Sequence, residues 1–247
     1  MVMNASPSPP SPRARPEIHE VVRGLLAGLG SGAGKRALDA PLGPGTMARH
    51  LRDSGYAVTG VDIDVTQSAA LPVEITRLRA NLNEPLPLPD AHFDMVTSLE
   101  GIEHVENHAL LLRELGRVTK PGGHLIISTP NICNLEERLN FLLRGTVYRF
   151  ISREEMVRHG SGFDHQNLIA YVPLRQVLDW AGFRVLRVEK DRAKWKQAVF
   201  LWPLGMMLRL FGALQSPRRR AKYLWDETNS GPVLWGGNTL ILLARKD

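Results

Sequence analysis

Apolar residues recur every three or four positions from Glu17 to Leu29, at Ile18, Val21, Val22, Leu25, Leu26 and Leu29. That spacing predicts an amphipathic helix, ended by the glycine-rich stretch 28–34. The rhythm then changes. Short apolar runs arrive at Ala37-Leu38, Tyr56 to Asp62, Arg77 to Leu82, His92 to Ser98 and Gly123 to Thr129. They are of strand length, and polar residues stand at their ends: Asp39, Asp62, Asn81, Ser98 and Thr129. Helical spacing returns at Thr46 to Asp53, over an abbreviated stretch Val65 to Leu71, at Asn107 to Val118 and at Ile132 to Leu143. Pro121-Gly-Gly123 is expected to stop the third of these. Pro173 opens a helix to Ala181, which leads through Gly182 into the alternating strand Phe183 to Glu189, and a last apolar strand fills 236–246. Strands alternating with helices predict an α/β architecture.

A chain of 247 residues, 43% of them hydrophobic, can bury one good-sized core. One domain is expected over 17–247, with an insertion at about 192–232. Residues 1–16 hold five prolines and three serines with almost nothing to bury, and read as a disordered tail. They show neither the charged stub nor the apolar core of a signal peptide. The single cysteine, Cys133, excludes an intrachain disulfide and suits a reducing compartment, so a cytoplasmic protein is expected. The net charge of +6 permits an acidic partner such as nucleic acid, phospholipid or a phosphorylated glycan without requiring one.

Candidate chemistry gathers where strands give way to turns. Asp39 closes the first strand, and Pro41-Leu-Gly-Pro-Gly45 leads into the next helix. Glycine lets a ligand approach such a turn closely, and ligands of open α/β sheets sit beyond the carboxyl ends of the strands. Asp62, at the end of the second strand, is placed as a hydrogen-bond acceptor for ribose hydroxyls. A dehydrogenase would share both features. Its fingerprint wants a third glycine, however, and Arg49 or its neighbours fill that place.

The turn, Gly60-Val-Asp62, Phe93-Asp-Met-Val96 and Lys120-Pro-Gly-Gly-His-Leu-Ile-Ile-Ser128 together resemble the class I S-adenosylmethionine-dependent methyltransferases. The resemblance is strong over Arg36 to Asn131 and returns in the terminal strand. It implies a Rossmann-like seven-stranded sheet with helices on both faces, mostly parallel, its last strand inserted antiparallel beside the fifth. It implies S-adenosylmethionine as cofactor, with Asp39, Gly43 and Gly45 at the methionine end, Asp62 at the ribose, and Asn81 with Leu82 at the adenine. Ala40, Ile63 and Ser98 complete the implied cofactor-binding set. Pro41 departs from the family, standing where its first glycine belongs, and stiffens the turn.

On the acceptor side, Glu100-Gly-Ile-Glu103-His104 follows the fourth strand. If helical, its two carboxylates and imidazole share one face. With His165 they form a candidate divalent-metal set (Glu100, Glu103, His104, His165), similar to that of small-RNA 3′-end 2′-O-methyltransferases. The first part also resembles ubiquinone-pathway O-methyltransferases. Two alternatives stay open: His104 or His165 as a catalytic base without metal, or a structural role. The reading is O-methylation of a small-molecule, glycan or lipid-linked acceptor. RNA-end methylation with a metal and a non-catalytic cofactor-binding partner protein are the alternatives, and nucleic acid ranks behind the smaller acceptors.

The insertion carries an apolar core, Ala198 to Leu208, then Arg209 to Leu214 and the basic run Arg218 to Lys222. Pro203 and Arg209 interrupt it well short of the roughly 20 apolar residues of a spanning helix. It reads as a helical lid or dimer surface. The other reading is an interfacial segment over 195–222, whose Trp195, Trp202 and basic run contact anionic lipid at the membrane periphery.

Overall fold

The computed structural model describes residues 15–147 and 167–247, with Glu154 alone between them. Its centre is one seven-stranded sheet in the order β3-β2-β1-β4-β5-β7-β6. The strands are β1 (Arg36–Asp39), β2 (Ala57–Asp62), β3 (Thr76–Arg79), β4 (Phe93–Ser98), β5 (Thr119–Pro130), β6 (Phe183–Lys190) and β7 (Thr239–Lys246). The first five run parallel. β7 lies antiparallel between β5 and β6, as the resemblance implied.

The strand runs lack polar alternation because both faces of the sheet are covered. Period-two geometry sends Leu38, Val96, Leu125 and Ile127 into one core and Ala37, Met95 and Ile126 into the other. The first core is closed by α3 (His108–Val118) and α5 (Tyr171–Trp180), the second by α1 (Pro16–Gly28) and α2 (Thr46–Asp53). Asparagine caps fix two helix starts. Asn107 Oδ1 accepts from Leu110 N–H at 2.9 Å, and Asn134 Oδ1 accepts from Glu137 N–H at 3.0 Å at the head of α4 (Leu135–Arg144).

Four local expectations need correcting. β3 ends at Arg79, two residues before Asn81, because it is an edge strand held only by four pairs with β2. The crossover after β2 is a single 3-10 turn, Val65–Ser68, not two turns of helix. α3 stops at Val118, so Pro121-Gly-Gly123 lies inside β5. The positive φ of Gly122 (77°) goes with a register shift opposite Phe93 and Met95, a bulge in the pairing with β4. Finally, α5 begins at Tyr171, two residues ahead of Pro173.

Between β6 and β7 the chain makes five short helices: α6 (Trp195–Phe200), α7 (Trp202–Ala213), α8 (Pro217–Lys222), α9 (Trp225–Thr228) and α10 (Gly231–Leu234). Arg138 of α4 ties them down. Its guanidinium donates to Cys133 O at 2.7 Å, to Asn229 Oδ1 at 2.9 Å and to the Thr228 carbonyl. α7 is built inside out. Its buried residues are Gly205 and Gly212, and a Cβ on Gly205 would fall 2.2 Å from the Trp235 ring. Its larger side chains, Met207, Leu210 and Phe211 among them, are exposed.

Candidate active site

β1 and β4 are neighbours, and the sheet's strand order reverses between them, which opens a crevice beyond their carboxyl ends. The turn after Asp39 is held in that crevice by its own backbone. Ala40 N–H donates to Thr97 O at 2.9 Å and Leu42 N–H to Val61 O at 2.8 Å. The Ala40-Pro41 peptide is cis. Gly43 (φ 49°) and Gly45 (φ 78°, the N-cap of α2) both take left-handed backbone, which favours glycine. Gly45 also packs closely, since an added Cβ would fall 2.3 Å from Leu71. A Cβ on Gly43 would meet nothing within 4 Å, so the turn presents bare backbone to open space.

Two carboxylates flank the turn. Asp39 is 1% exposed, and its Oδ1 accepts from Thr97 Oγ1 at 2.7 Å while Oδ2 has no hydrogen-bond partner. Burial pushes its pKa up to about 7; the Thr97 hydrogen bond opposes the shift and the charge of Asp62 adds to it. Asp62 Oδ2 accepts from Gly43 N–H at 2.7 Å and Oδ1 from Asp64 N–H at 3.0 Å. A carboxylate has about four acceptor sites, so capacity remains for a diol. Ile63 beside it is exposed, and Ser98 Oγ, at the end of β4, is buried without a hydrogen-bond partner. The orphaned Asp39 and Ser98 oxygens and the bare Gly43 backbone fit a ligand with a cationic end and a ribose. Asn81 differs from the rest. Its Nδ2 donates to Glu84 Oε1 at 3.0 Å and its Oδ1 accepts from Asn83 N–H at 3.0 Å, so its amide closes a local turn, and Leu82 packs on the core.

The acceptor side lies past β4. Glu100 takes a left-handed φ of 49°, and only Ile102–His104 form a 3-10 turn. The expected single helical face through Glu100, Glu103 and His104 is therefore not made. The left-handed Glu100 breaks any helix before it starts. Glu100 is instead locked to β5: its N–H donates to Ser128 Oγ at 2.8 Å, and Ser128 Oγ donates to Glu100 Oε1 at 2.9 Å. Burial raises the Glu100 pKa, the Ser128 hydrogen bond opposes this, and the charge of Asp191 adds to it. Glu103 is fully buried, and burial followed by the charge of Glu100 pushes its pKa up to about 8. His104 is half-buried, its N–H bonded to Gly101 O.

His165 lies outside the described residues. Asn167, two positions on, donates its N–H to Glu103 O at 3.1 Å and its Nδ2 to Val105 O at 3.0 Å. Among the described residues, no group of three His, Cys, Asp or Glu side chains is placed to hold a metal ion.

Sequence reasoning passed over Ser128, Asp191 and Arg138. Asp191 is buried at the end of β6, where its Oδ1 accepts from Thr239 N–H at 3.2 Å. The signal it offered, a polar residue closing a strand, is the one that marked Asp39 and Asp62. A cavity of about 650 Å³ opens just past β5, between α4 and the helices that precede β7. Ile132, Cys133, Phe141, Leu208, Phe211 and Trp225 line it, with Arg138 and Glu137 among its few charged groups.

A methyltransferase-domain family model matches residues 38–127. The ubiquinone biosynthesis O-methyltransferase of Alkalilimnicola ehrlichii is 32% identical over 170 residues, 60% of this chain and 69% of that protein. The demethylmenaquinone methyltransferase of a Mycobacterium species is 28% identical over 198 residues, 79% of this chain and 83% of that one. Among solved structures, an S-adenosylmethionine-dependent methyltransferase from Archaeoglobus fulgidus shares the fold. Its TM-score is 0.58 at 19% identity, over 92% of this chain and 94% of that chain.

Proposed function

Because the chain belongs to the class I S-adenosylmethionine-dependent methyltransferases, we propose that it methylates a hydroxyl oxygen on a small acceptor with a large apolar portion. The observation that carries this reading is the pair of carboxylates beyond β4, half-buried Glu100 and fully buried Glu103, both with raised pKa. A carboxylate whose pKa is raised above its ordinary value is a stronger base for a hydroxyl proton. The apolar portion is argued from the cavity, which begins at Ile132 and Cys133, just past the strand that carries Glu100's partner Ser128. Relatives named for ubiquinone biosynthesis and for demethylmenaquinone make a quinone precursor the first acceptor to try, ahead of a lipid-linked sugar.

S-adenosylmethionine, when bound, supplies a methyl group already activated for displacement. Asp39 and the 40–45 turn would hold its amino-acid end, Asp62 would orient the ribose, and Ile63 with Leu82 would flank the base. Asp39 must ionise to meet an ammonium, which its raised pKa delays until near pH 7. The chain's remaining task would be to orient the acceptor hydroxyl toward that methyl group and to take its proton. Glu100 then takes the hydroxyl proton on a carboxylate oxygen, and Ser128 fixes the rotamer from which it does so. His104 and His165 are the competing bases.

The test supplies methyl-labelled cofactor with a prenylated catechol, a lipid-linked sugar and a short RNA. Label in the catechol or lipid fraction supports the reading, and label in RNA alone overturns it. Glu100→Gln should lower kcat by about 10²–10⁴ with product affinity unchanged. Full activity in that variant with loss in His104→Ala moves the base to histidine. Loss with chelator, restored by Mn²⁺, favours the metal set instead.

A further inference from the structure

We propose that the α6–α8 face seats the protein on the surface of an anionic bilayer, from which the acceptor enters the neighbouring cavity. This extends the reading of the acceptor as an apolar molecule and rests on it only for the entry step.

Ordinary surface helices bury their large apolar side chains and expose polar ones. α7 does the reverse, turning Gly205 and Gly212 inward and large residues outward. The exposed apolar residues recur along this stretch: Val199, Phe200, Trp202, Met207, Leu210 and Leu214 are each more than half exposed. Met207, Leu210 and Leu214 fall at i, i+3 and i+7, on one side of one helix. Such a concentration marks an interaction site rather than scattered surface apolar residues.

Charge selects the occupant. From Arg192 to Trp225 the chain carries eight Lys and Arg and no Asp or Glu, and three of the eight, Arg192, Lys194 and Arg220, pair with Asp191, Glu136 and Asp226 outside that stretch. Those eight exceed the whole net charge of +6, so the remaining residues together are slightly acidic. A second copy docked symmetrically would bring this set against itself, and like charges across an interface are unfavourable. Nucleic acid would satisfy the cations and leave Phe200, Leu210 and Leu214 in water. An anionic lipid surface satisfies both, with apolar side chains entering the headgroup boundary and cations meeting the phosphates.

The mode is interfacial. α7 has 12 residues, about 18 Å of helix against a hydrocarbon core of about 30 Å. No helix among the described residues is long and apolar enough to cross a membrane. Leu208 and Phe211 of the same helix line the cavity, so a molecule leaving the lipid would meet the cavity wall first.

The experiment is co-sedimentation of the purified protein with vesicles of phosphatidylglycerol and phosphatidylcholine, or of phosphatidylcholine alone, without cofactor or acceptor. The expected result is sedimentation with the anionic vesicles that weakens with salt. Arg209→Gln with Arg218→Gln should lower the partition roughly 30-fold, about fivefold per cation. Met207→Ser, Leu210→Ser and Leu214→Ser combined should abolish it at any salt. Each variant is checked for unchanged S-adenosylhomocysteine affinity, which shows that the domain is folded. Wild-type protein that ignores anionic vesicles overturns the proposal. So does its appearance as a dimer that the triple serine variant dissociates, or an oligonucleotide complex that the charge variant alone destroys. Binding without turnover of any apolar acceptor leaves the docking standing and removes the acceptor reading. Turnover in detergent without vesicle binding does the opposite.

Discussion

The carboxyl edge of the sheet and the helices between β6 and β7 follow opposite rules. At the sheet edge the apolar residues are inside and buried polar groups stand at the strand ends. In α7 the glycines are inside and large apolar residues are outside, whereas Val233 and Leu234 of α10, nearest β7, are buried. A fold needs the first arrangement for its own stability. The second makes sense only with a partner, since side chains such as Phe200 and Leu214 gain nothing from the chain they belong to. The sharpest way to break this contrast is to remove one aromatic ring from the sheet core and one from the helical segment. Phe93 is 1% exposed at the start of β4, so Phe93→Ala should cost about 3–5 kcal/mol in chemical denaturation. Phe200→Ala, at a side chain 75% exposed, should change stability by less than about 0.5 kcal/mol. Equal losses would mean that the helical segment carries its own core.

A second contrast concerns ligand binding. Asp62→Ala removes the acceptor that holds Gly43 N–H and, on the proposed reading, the ribose. It should weaken S-adenosylhomocysteine binding by about 1.5–3 kcal/mol in calorimetry. The triple serine change on α7 should leave that affinity untouched, because the turn and the helix share no side chain. Wild-type affinity in Asp62→Ala would take the residue out of the site.

Legibility followed the same division. The sheet edge was readable because strands buried on both faces leave unbroken apolar runs, and Asp39, Asp62 and Ser98 stand where those runs stop. Helix α2 has the bounds its spacing predicted, Thr46–Asp53. β3 was misplaced because an edge strand of four residues has no inner face to impose a pattern. Glu100 to His104 looked helical by spacing alone, but the tie from Ser128 forces Glu100 left-handed, and that contact spans 28 residues of sequence. In α7 the composition was visible, yet the direction each side chain takes was not. Packing of Gly205 on Trp235 decides it.

The buried carboxylates make the sheet edge sensitive to pH, a property the basic segment lacks any acid to share. Asp39 and Glu103 have folded pKa values near 7 and 8, above their ordinary 3.8 and 4.5. The folded state therefore holds protons that the unfolded chain has released. Their stabilising share is complete below about pH 4 and is lost as pH rises toward about 8, by at most ~1.4 kcal/mol per pH unit for each group. Without cofactor, the thermal midpoint should fall between about pH 5 and pH 8, and Asp39→Asn or Glu103→Gln should each flatten the slope. Cofactor binding should strengthen over the same interval in wild type, as Asp39 ionises, and lose that trend in Asp39→Asn. A midpoint that rises with pH would show that both groups are ionised in the folded protein.

Asn81 sets the smallest effect and separates side-chain from backbone recognition at the adenine end. As a strand-end asparagine it would offer its amide to the base, and its removal would cost as much as that of a hydrogen-bonding acid. Its amide is already engaged, by Glu84 on one side and Asn83 N–H on the other, so it shapes the loop rather than facing outward. A ligand would meet Leu82 and the loop backbone. Asn81→Ala should therefore weaken S-adenosylhomocysteine by no more than about 0.5–1 kcal/mol, since only a fraction of its two local hydrogen bonds, to Glu84 and from Asn83 N–H, is passed on through the loop. Asn81→Asp keeps the acceptor for Asn83 N–H and loses the donor to Glu84, placing two carboxylates together; it should weaken binding slightly at neutral pH. Adenosine alone is the informative ligand in calorimetry, since it lacks the amino-acid end for which Asp39 is proposed. A loss for adenosine as large as that in Asp62→Ala would mean that the Asn81 amide leaves its turn to hold the base directly.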